Sequence, residues 1–321
     1  MNIDAPDPPI LVSIITPTLN QAGFLANALE SVARQSYAAI EHIVVDGGST
    51  DGTLELLRTW ESGAERRWSS DPDRGMYQAI NRGLQSVRGE IVGYLNSDDV
   101  LLPWAIDTVV REFRMRPTLD IVYGDALRLA EPEGSLLLAL QVPFRYPRLA
   151  RFGSLVQPSV FWRRAVHERL GGFDSDLSYG GDLDFWLRAA VSSSVGQLEE
   201  VLSIYRVHPA ALTSRMRRPM RAEERSIRAR HHRDGRYARF RQMLARVSHA
   251  AAVRRQQFRF ARAARDDADP RWQEFRSLFR PRVRPAKLAV AMLPLLTRWI
   301  DIQWVEMRDP EAAGVLGATH P

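Results

Sequence analysis

The sequence predicts an α/β protein, with a mostly parallel sheet of the nucleotide-binding type, helices on both faces and a helical C-terminal region. Three observations predict it. Short β-branched runs alternate with amphipathic stretches over the first 100 residues, polar turn clusters directly follow those runs, and the composition turns Arg-rich after residue 214.

Taken in order, residues 1–9 form a Pro-containing leader, and residues 10–15 are an apolar run suited to a buried parallel strand. Residues 24–35 read as a helix because Leu25, Ala28, Leu29, Val32 and Ala33 share one face. The next strand, residues 40–45, stops at Asp46-Gly47-Gly48-Ser49-Thr50-Asp51-Gly52, a cluster of turn formers and helix caps that introduces a helix over residues 53–60. Tyr77, Ile80, Leu84 and Val87 then have helical spacing over residues 76–87, and residues 90–95 are the following strand. Residues 120–123 are expected to be another strand, while Pro132, Pro143, Pro147 and Pro158 break up residues 130–160. In such a sheet the ligand crevice lies at the carboxyl ends of the strands, where the polar clusters fall.

A 321-residue chain with 45% hydrophobic content can bury a large core, which excludes a disordered or fibrous protein. It contains no cysteine, so disulfides, thiolate metal sites and cysteine nucleophiles are excluded. Residues 1–7 lack the basic end and apolar stretch of a secretory signal, and a cytoplasmic protein is expected. The net charge of +6 conceals an asymmetry: residues 1–214 carry 19 Lys and Arg against 27 Asp and Glu, and residues 215–287 carry 23 against 7. The basic region, helical over residues 237–265, is followed by an interrupted apolar segment with Trp299 and Trp304. That combination suits peripheral binding to an anionic membrane, here the inner face of the cytoplasmic membrane. A helical appendage over residues 215–321 that packs on the catalytic domain or makes a homodimer is the competing expectation, and nucleic acid is not an expected partner because no recognition motif accompanies the charge.

Asn96-Ser97-Asp98-Asp99 directly follows the apolar run ending at Leu95. Paired carboxylates at the end of a strand are placed to hold a divalent cation against a diphosphate, although acids here also cap helices. With Ser13-Ile14-Ile15-Thr16-Pro17-Thr18-Leu19-Asn20, Val44-Val45-Asp46-Gly47-Gly48-Ser49-Thr50-Asp51-Gly52-Thr53 and Ser70-Asp71-Pro72-Asp73-Arg74-Gly75-Met76-Tyr77-Gln78-Ala79-Ile80-Asn81-Arg82-Gly83, this motif resembles glycosyltransferase family 2, inverting enzymes of the GT-A fold. Gln157-Pro158-Ser159-Val160-Phe161, Gly171-Gly172-Phe173-Asp174 and Gly181-Asp182-Leu183-Asp184-Phe185-Trp186-Leu187-Arg188 extend the resemblance over roughly residues 10–214. Two positions depart from the family pattern: Gly47 stands where a second acid is common, and Gly181 where Glu is frequent.

The resemblance implies metal-assisted transfer of a sugar from a nucleoside-diphosphate sugar, UDP favoured, to a glycan or lipid-linked acceptor of the bacterial cell surface. It implies nucleotide contacts from Thr16, Pro17, Thr18, Asn20, Asp46, Asp73, Arg74, Gly75, Asn81, Ser97 and Asp98. Asp99 is the expected direct ligand to Mn²⁺ or Mg²⁺, with Asp98 on the ribose or in the metal shell and His208 as a further ligand. Asp182 is the expected catalytic base, with Asp184 as the alternative. Trp162, Phe173, Tyr179 and Trp186 are candidates either for acceptor stacking or for the core. A sugar-nucleotide-binding protein without catalysis, its basic region binding nucleic acid or membrane, stays open as the second reading.

Overall fold

The computed structural model describes residues 8–60, 65–130, 135–139, 141, 144, 146–150, 155–231 and 304–307. Its first half runs β1 (Val12–Thr18), α1 (Ala22–Ala33), β2 (Ile40–Asp46), α2 (Thr53–Trp60), β3 (Arg66–Ser70), α3 (Met76–Leu84) and β4 (Ile91–Tyr94). β1 lies between β2 and β4, β3 flanks β2, and all four run parallel. Alternation along β1 separates two cores. Ile14 faces α1 and joins Ala28 and Val32, whereas Ile15 faces α3 and joins Ile80 and Leu84. Gly83 lets α3 approach that closely, since a Cβ there would stand 2.6 Å from Ile15 Cγ2.

The second half continues with β5 (Val100–Leu101), α4 (Ala105–Met115), β6 (Ile121–Ala130), β7 (Ser135–Ala139), α5 (Tyr146–Leu149), a 3₁₀ turn at Gln157–Ser159, β8 (Val160–Arg163), α6 (Arg164–Leu170), α7 (Gly181–Ala189), β9 (Val195–Val207), α8 (Leu212–Arg215), α9 (Arg217–His231) and β10 (Trp304–Met307). β8 pairs antiparallel with β4 and β6, β7 antiparallel with β6, and β9 parallel with β6. The sheet is therefore mixed, with its parallel part where the alternation predicts it. β3 and β9 were not legible as strands, because Arg66-Arg67 and Glu199-Glu200 interrupt their apolar patterns.

The expected boundary at residue 214 cuts through packed structure. Ile227 of α9 is fully buried in the core that holds Trp186 and Phe185, and the His231 ring lies 3.1 Å from Asp184 Oδ1. Residues 217–231 are helical as expected and Trp304–Met307 is a strand paired with β7, while the expected helix over residues 237–265 and Trp299 lie outside the described residues. No helix among the described residues is long and apolar enough to cross a membrane.

Candidate active site

Two loops at the carboxyl ends of β1 and β2 are zipped together by side chains. Asn20, with φ 53°, adopts a left-handed conformation that Asn tolerates well. Its Oδ1 accepts the Thr50 N–H at 2.8 Å, and its own N–H reaches Ser49 Oγ at 2.7 Å. Asp51 accepts the N–H groups of Ala22 and Thr53, at 3.0 and 3.1 Å, and so anchors the starts of α1 and α2.

Asp46 is fully buried, and its carboxylate accepts from the N–H groups of Gly48 and Ser49 and from the hydroxyls of Ser49 and Ser70. Burial alone would raise its pKa; these hydrogen bonds outweigh burial and hold the carboxyl below the usual range. The expected nucleotide contact is corrected accordingly: both oxygens are engaged, and Asp46 shapes the loop. Thr16 is likewise removed from the crevice, since it is fully buried and its Oγ1 lies 2.9 Å from His42 Nε2. Burial, with the nearby Arg66 charge, lowers His42 to about 3, so that ring is neutral. Pro17 and Thr18 are also buried at the end of β1.

In the loop before α3, the Asp73 carboxylate accepts the Gly75 N–H at 3.0 Å and covers Gly47, where a Cβ would stand 2.7 Å from Asp73 Oδ2. Any larger residue at position 47 would have to displace the Asp73 carboxylate. Gly75 has φ 147°, accessible to glycine at little cost, and Arg74 beside it is exposed at the rim. Asn81 faces away from this loop. It donates to the Phe173 carbonyl at 2.7 Å and accepts the Phe173 N–H at 2.9 Å, so the expected nucleotide contact is replaced by a clasp on the loop before α7.

At the end of β4, Ser97 and Asp99 are buried and Asp98 is the more open of the two acids, its side chain 22% exposed. Asp99 accepts the Arg206 N–H at 3.1 Å and the Asn96 side-chain N–H at 3.2 Å. Burial, reinforced by Asp98, raises its pKa well above the carboxylate range. Each Asp99 oxygen thus has one partner, on the turn and on β9, while the Asp98 side chain is the more open of the pair. Asp98 Oδ2 instead lies 3.2 Å from His208 Nε2, and the His208 ring packs on Phe24 of α1 at 4.3 Å between centroids. β9 brings His208 across 110 residues of sequence to this place.

No cluster of three or more His, Asp or Glu side chains able to hold a metal occurs among the described residues. Asp98 and His208 nevertheless supply one oxygen and one nitrogen donor on the same edge, and the buried Asn96 Oδ1 beside them has no hydrogen-bond partner among the described residues. Mg²⁺ and Mn²⁺ at phosphate sites take much of their shell from substrate oxygens and water, and a half-shell of this kind fits them.

Asp182 stands in the first turn of α7, with part of its surface open. Its Oδ1 accepts the Leu183 N–H at 2.8 Å and lies 3.4 Å from the Tyr77 hydroxyl. Burial pushes its carboxyl up to about 6, the Glu224 charge adds to this, and the two donors oppose it. Asp184 differs in every respect, being bonded to Arg188 at 2.8 Å and to His231 at 3.1 Å. Against the effect of burial, those partners hold its carboxyl low. Gly181 explains itself: a Cβ there would meet the Tyr77 ring at 2.7 Å, which excludes the Glu that the family pattern favours. Trp162, Phe173 and Trp186 are core, and Tyr179 alone of the four aromatics is partly exposed.

Buried Tyr94, at the end of β4, feels both Asp182 and Asp99, and each raises its pKa further after burial itself. Both acids therefore act on one tyrosine, at the carboxyl end of β4. In an α/β sheet of this kind the carboxyl ends of the strands are where a ligand binds. The profile described as "Glycosyl transferase family 2" matches residues 13–134. A PGL/p-HBAD biosynthesis glycosyltransferase of Mycobacterium bovis BCG is 32% identical over 183 residues, covering 56% of this chain and 69% of the relative. Among solved structures, residues 1–349 of Staphylococcus aureus TarS in complex with UDP-GlcNAc align with TM-score 0.57 at 18% identity, covering 84% of this chain and 80% of that one. A mannosyltransferase of Pyrobaculum calidifontis in complex with GDP-Man and Mn²⁺ aligns with TM-score 0.55 at 20% identity, covering 85% of each. The chain belongs to glycosyltransferase family 2 and has the GT-A fold.

Proposed function

We propose that this glycosyltransferase moves a sugar, with inversion, from a nucleoside-diphosphate donor, UDP-sugar favoured, to a glycan or lipid-linked acceptor in cell-surface polysaccharide or glycolipid assembly. The observation that carries it is the presence of two acidic centres, Asp98 beside His208 after β4 and Asp182 in the first turn of α7. The UDP-GlcNAc and GDP-Man complexes of the structural neighbours support the donor class.

Asp182 takes the proton of the acceptor hydroxyl, whose oxygen forms a bond to the anomeric carbon. The bond from that carbon to the phosphate oxygen breaks, and its electron pair leaves with the nucleoside diphosphate. In a direct displacement the acceptor attacks from the side of the sugar opposite the leaving group, and the anomeric centre inverts. With a carboxyl raised to about 6, Asp182 is ionised at neutral pH and basic enough to accept the proton. Asp98 and His208 would hold Mn²⁺ or Mg²⁺, which when bound neutralises charge building on the diphosphate. Asn20 and Asp73 keep the loops around the nucleotide in shape, and Arg74 at the rim adds a cation for phosphate oxygens.

The test is thermal stabilisation by UDP, GDP, TDP and CMP, each with and without Mn²⁺ or Mg²⁺. One nucleotide should give a metal-dependent shift that Asp98→Ala abolishes. An undiminished shift in Asp98→Ala would refute the metal assignment, and no shift with any nucleotide would refute the donor assignment.

A further inference from the structure

The segment that delivers the base is held from two sides. From below, the Tyr77 hydroxyl donates to the Tyr179 carbonyl at 3.0 Å, and its ring packs against Gly181. From above, Glu223 of α9 accepts three successive backbone N–H groups, Ser178 on Oε2 at 3.0 Å and Tyr179 and Gly180 on Oε1 at 2.7 Å each. Ile227, one turn further along α9, fills the space beside Gly180, where a Cβ would meet its Cδ1 at 2.6 Å. α9 thus grips the backbone immediately before Asp182 by a carboxylate and an apolar side chain that belong to a region expected to lie outside the catalytic unit.

A charge-assisted bond from a peptide N–H is about twice as strong as a neutral one, and three converging on one carboxylate fix a short backbone stretch far more firmly than a loop fixes itself. We propose that Glu223 is a positioning residue for transfer: by gathering the N–H groups of Ser178, Tyr179 and Gly180 into one carboxylate, α9 sets the place of the Asp182 carboxylate. The proposal rests on the assignment of Asp182 as the base. Glu224 of α9 and the Tyr77 hydroxyl of α3 are the ionisable groups that act on Asp182, and Glu223 acts on Tyr77.

The experiment uses the full chain in four forms: wild type, Glu223→Ala, Glu223→Gln and Asp182→Asn. Three readouts are amide exchange at residues 178–180, the ¹³C-carboxyl titration of Asp182, assigned by its absence in Asp182→Asn, and nucleoside-diphosphate release from UDP-GlcNAc or GDP-mannose with Mn²⁺. In Glu223→Ala the three amides should exchange faster, the Asp182 midpoint should fall by roughly one pH unit as water reaches the carboxylate, and turnover should drop at least about tenfold through misplacement of the base. Glu223→Gln keeps an oxygen for the Tyr179 and Gly180 N–H groups but loses the charge and turns an amide NH2 toward the Ser178 N–H, so it should fall between wild type and Glu223→Ala in all three. Mn²⁺-dependent stabilisation by nucleotide should be the same in every form. An unmoved midpoint and unchanged exchange in Glu223→Ala would overturn the proposal, as would a loss of turnover in either Glu223 variant with exchange at residues 178–180 unchanged. Full turnover by Asp182→Asn would remove the base assignment itself, and that result is separate from the exchange and titration data on Glu223.

Discussion

Asp182→Asn should abolish transfer and at the same time stabilise the protein, to a degree that depends on pH in a defined way. The carboxyl, ordinarily near 3.8, is raised to about 6 in the folded protein, first by burial and then by Glu224. Between these values the folded protein holds a proton that the unfolded chain has lost, so wild-type stability falls as pH rises through that window and the cost is fully present above about 6. A shift of about two units at roughly 1.4 kcal/mol per unit sets the cost near 3 kcal/mol, an upper figure because Asp182 keeps part of its surface in water. Asn has the same shape and can still accept from Leu183 N–H and Tyr77, so the variant escapes the charge cost without leaving a cavity. Urea unfolding of both proteins from pH 4 to pH 8 measures it. The two stabilities should nearly coincide at the acid end, diverge by up to about 1.4 kcal/mol per pH unit and run parallel above pH 6. Parallel curves over the whole range would refute the argument that this carboxylate is held at a cost to the fold.

Asn81→Ala should destabilise by about 1–3 kcal/mol, since it strips two hydrogen bonds from the Phe173 backbone. Its nucleotide affinity should match wild type, and a weakened affinity in titration calorimetry would restore the contact expected from the motif. The Arg-rich residues beyond 231 should carry peripheral membrane binding, so full-length protein should float with anionic liposomes and a chain ending at residue 231 should not. Equal flotation of the two would place any lipid contact elsewhere. The truncation belongs after residue 231 and not after 214, because α9 is part of the folded unit.

Local pattern was enough to read β1, β2, β4 and the helices between them. Each carries a period that one strand face or one helix stripe imposes, and short connections keep successive elements adjacent. The acids at the end of β4 and the acid at the start of α7 were legible for the same reason: chemistry placed at strand ends and helix starts is local in sequence. What each side chain does there was not local. Thr16, Asp46 and Asn81 read as ligand contacts until the structure supplies partners 26, 24 and 92 residues away, His42, Ser70 and Phe173. Asp98 and Asp99 are indistinguishable as neighbours in the chain; β9 separates them by offering Asp99 a backbone N–H and Asp98 a histidine. Gly47 and Gly181 look like lost acids in the sequence, yet each makes room for a group from another element, Asp73 in one case and Tyr77 in the other. The sequence by itself determined the fold class, the family and the set of reactive groups, because these follow from periodicity and motif. Tertiary structure alone decided which partners those groups have, because the partners come from elements distant in the chain.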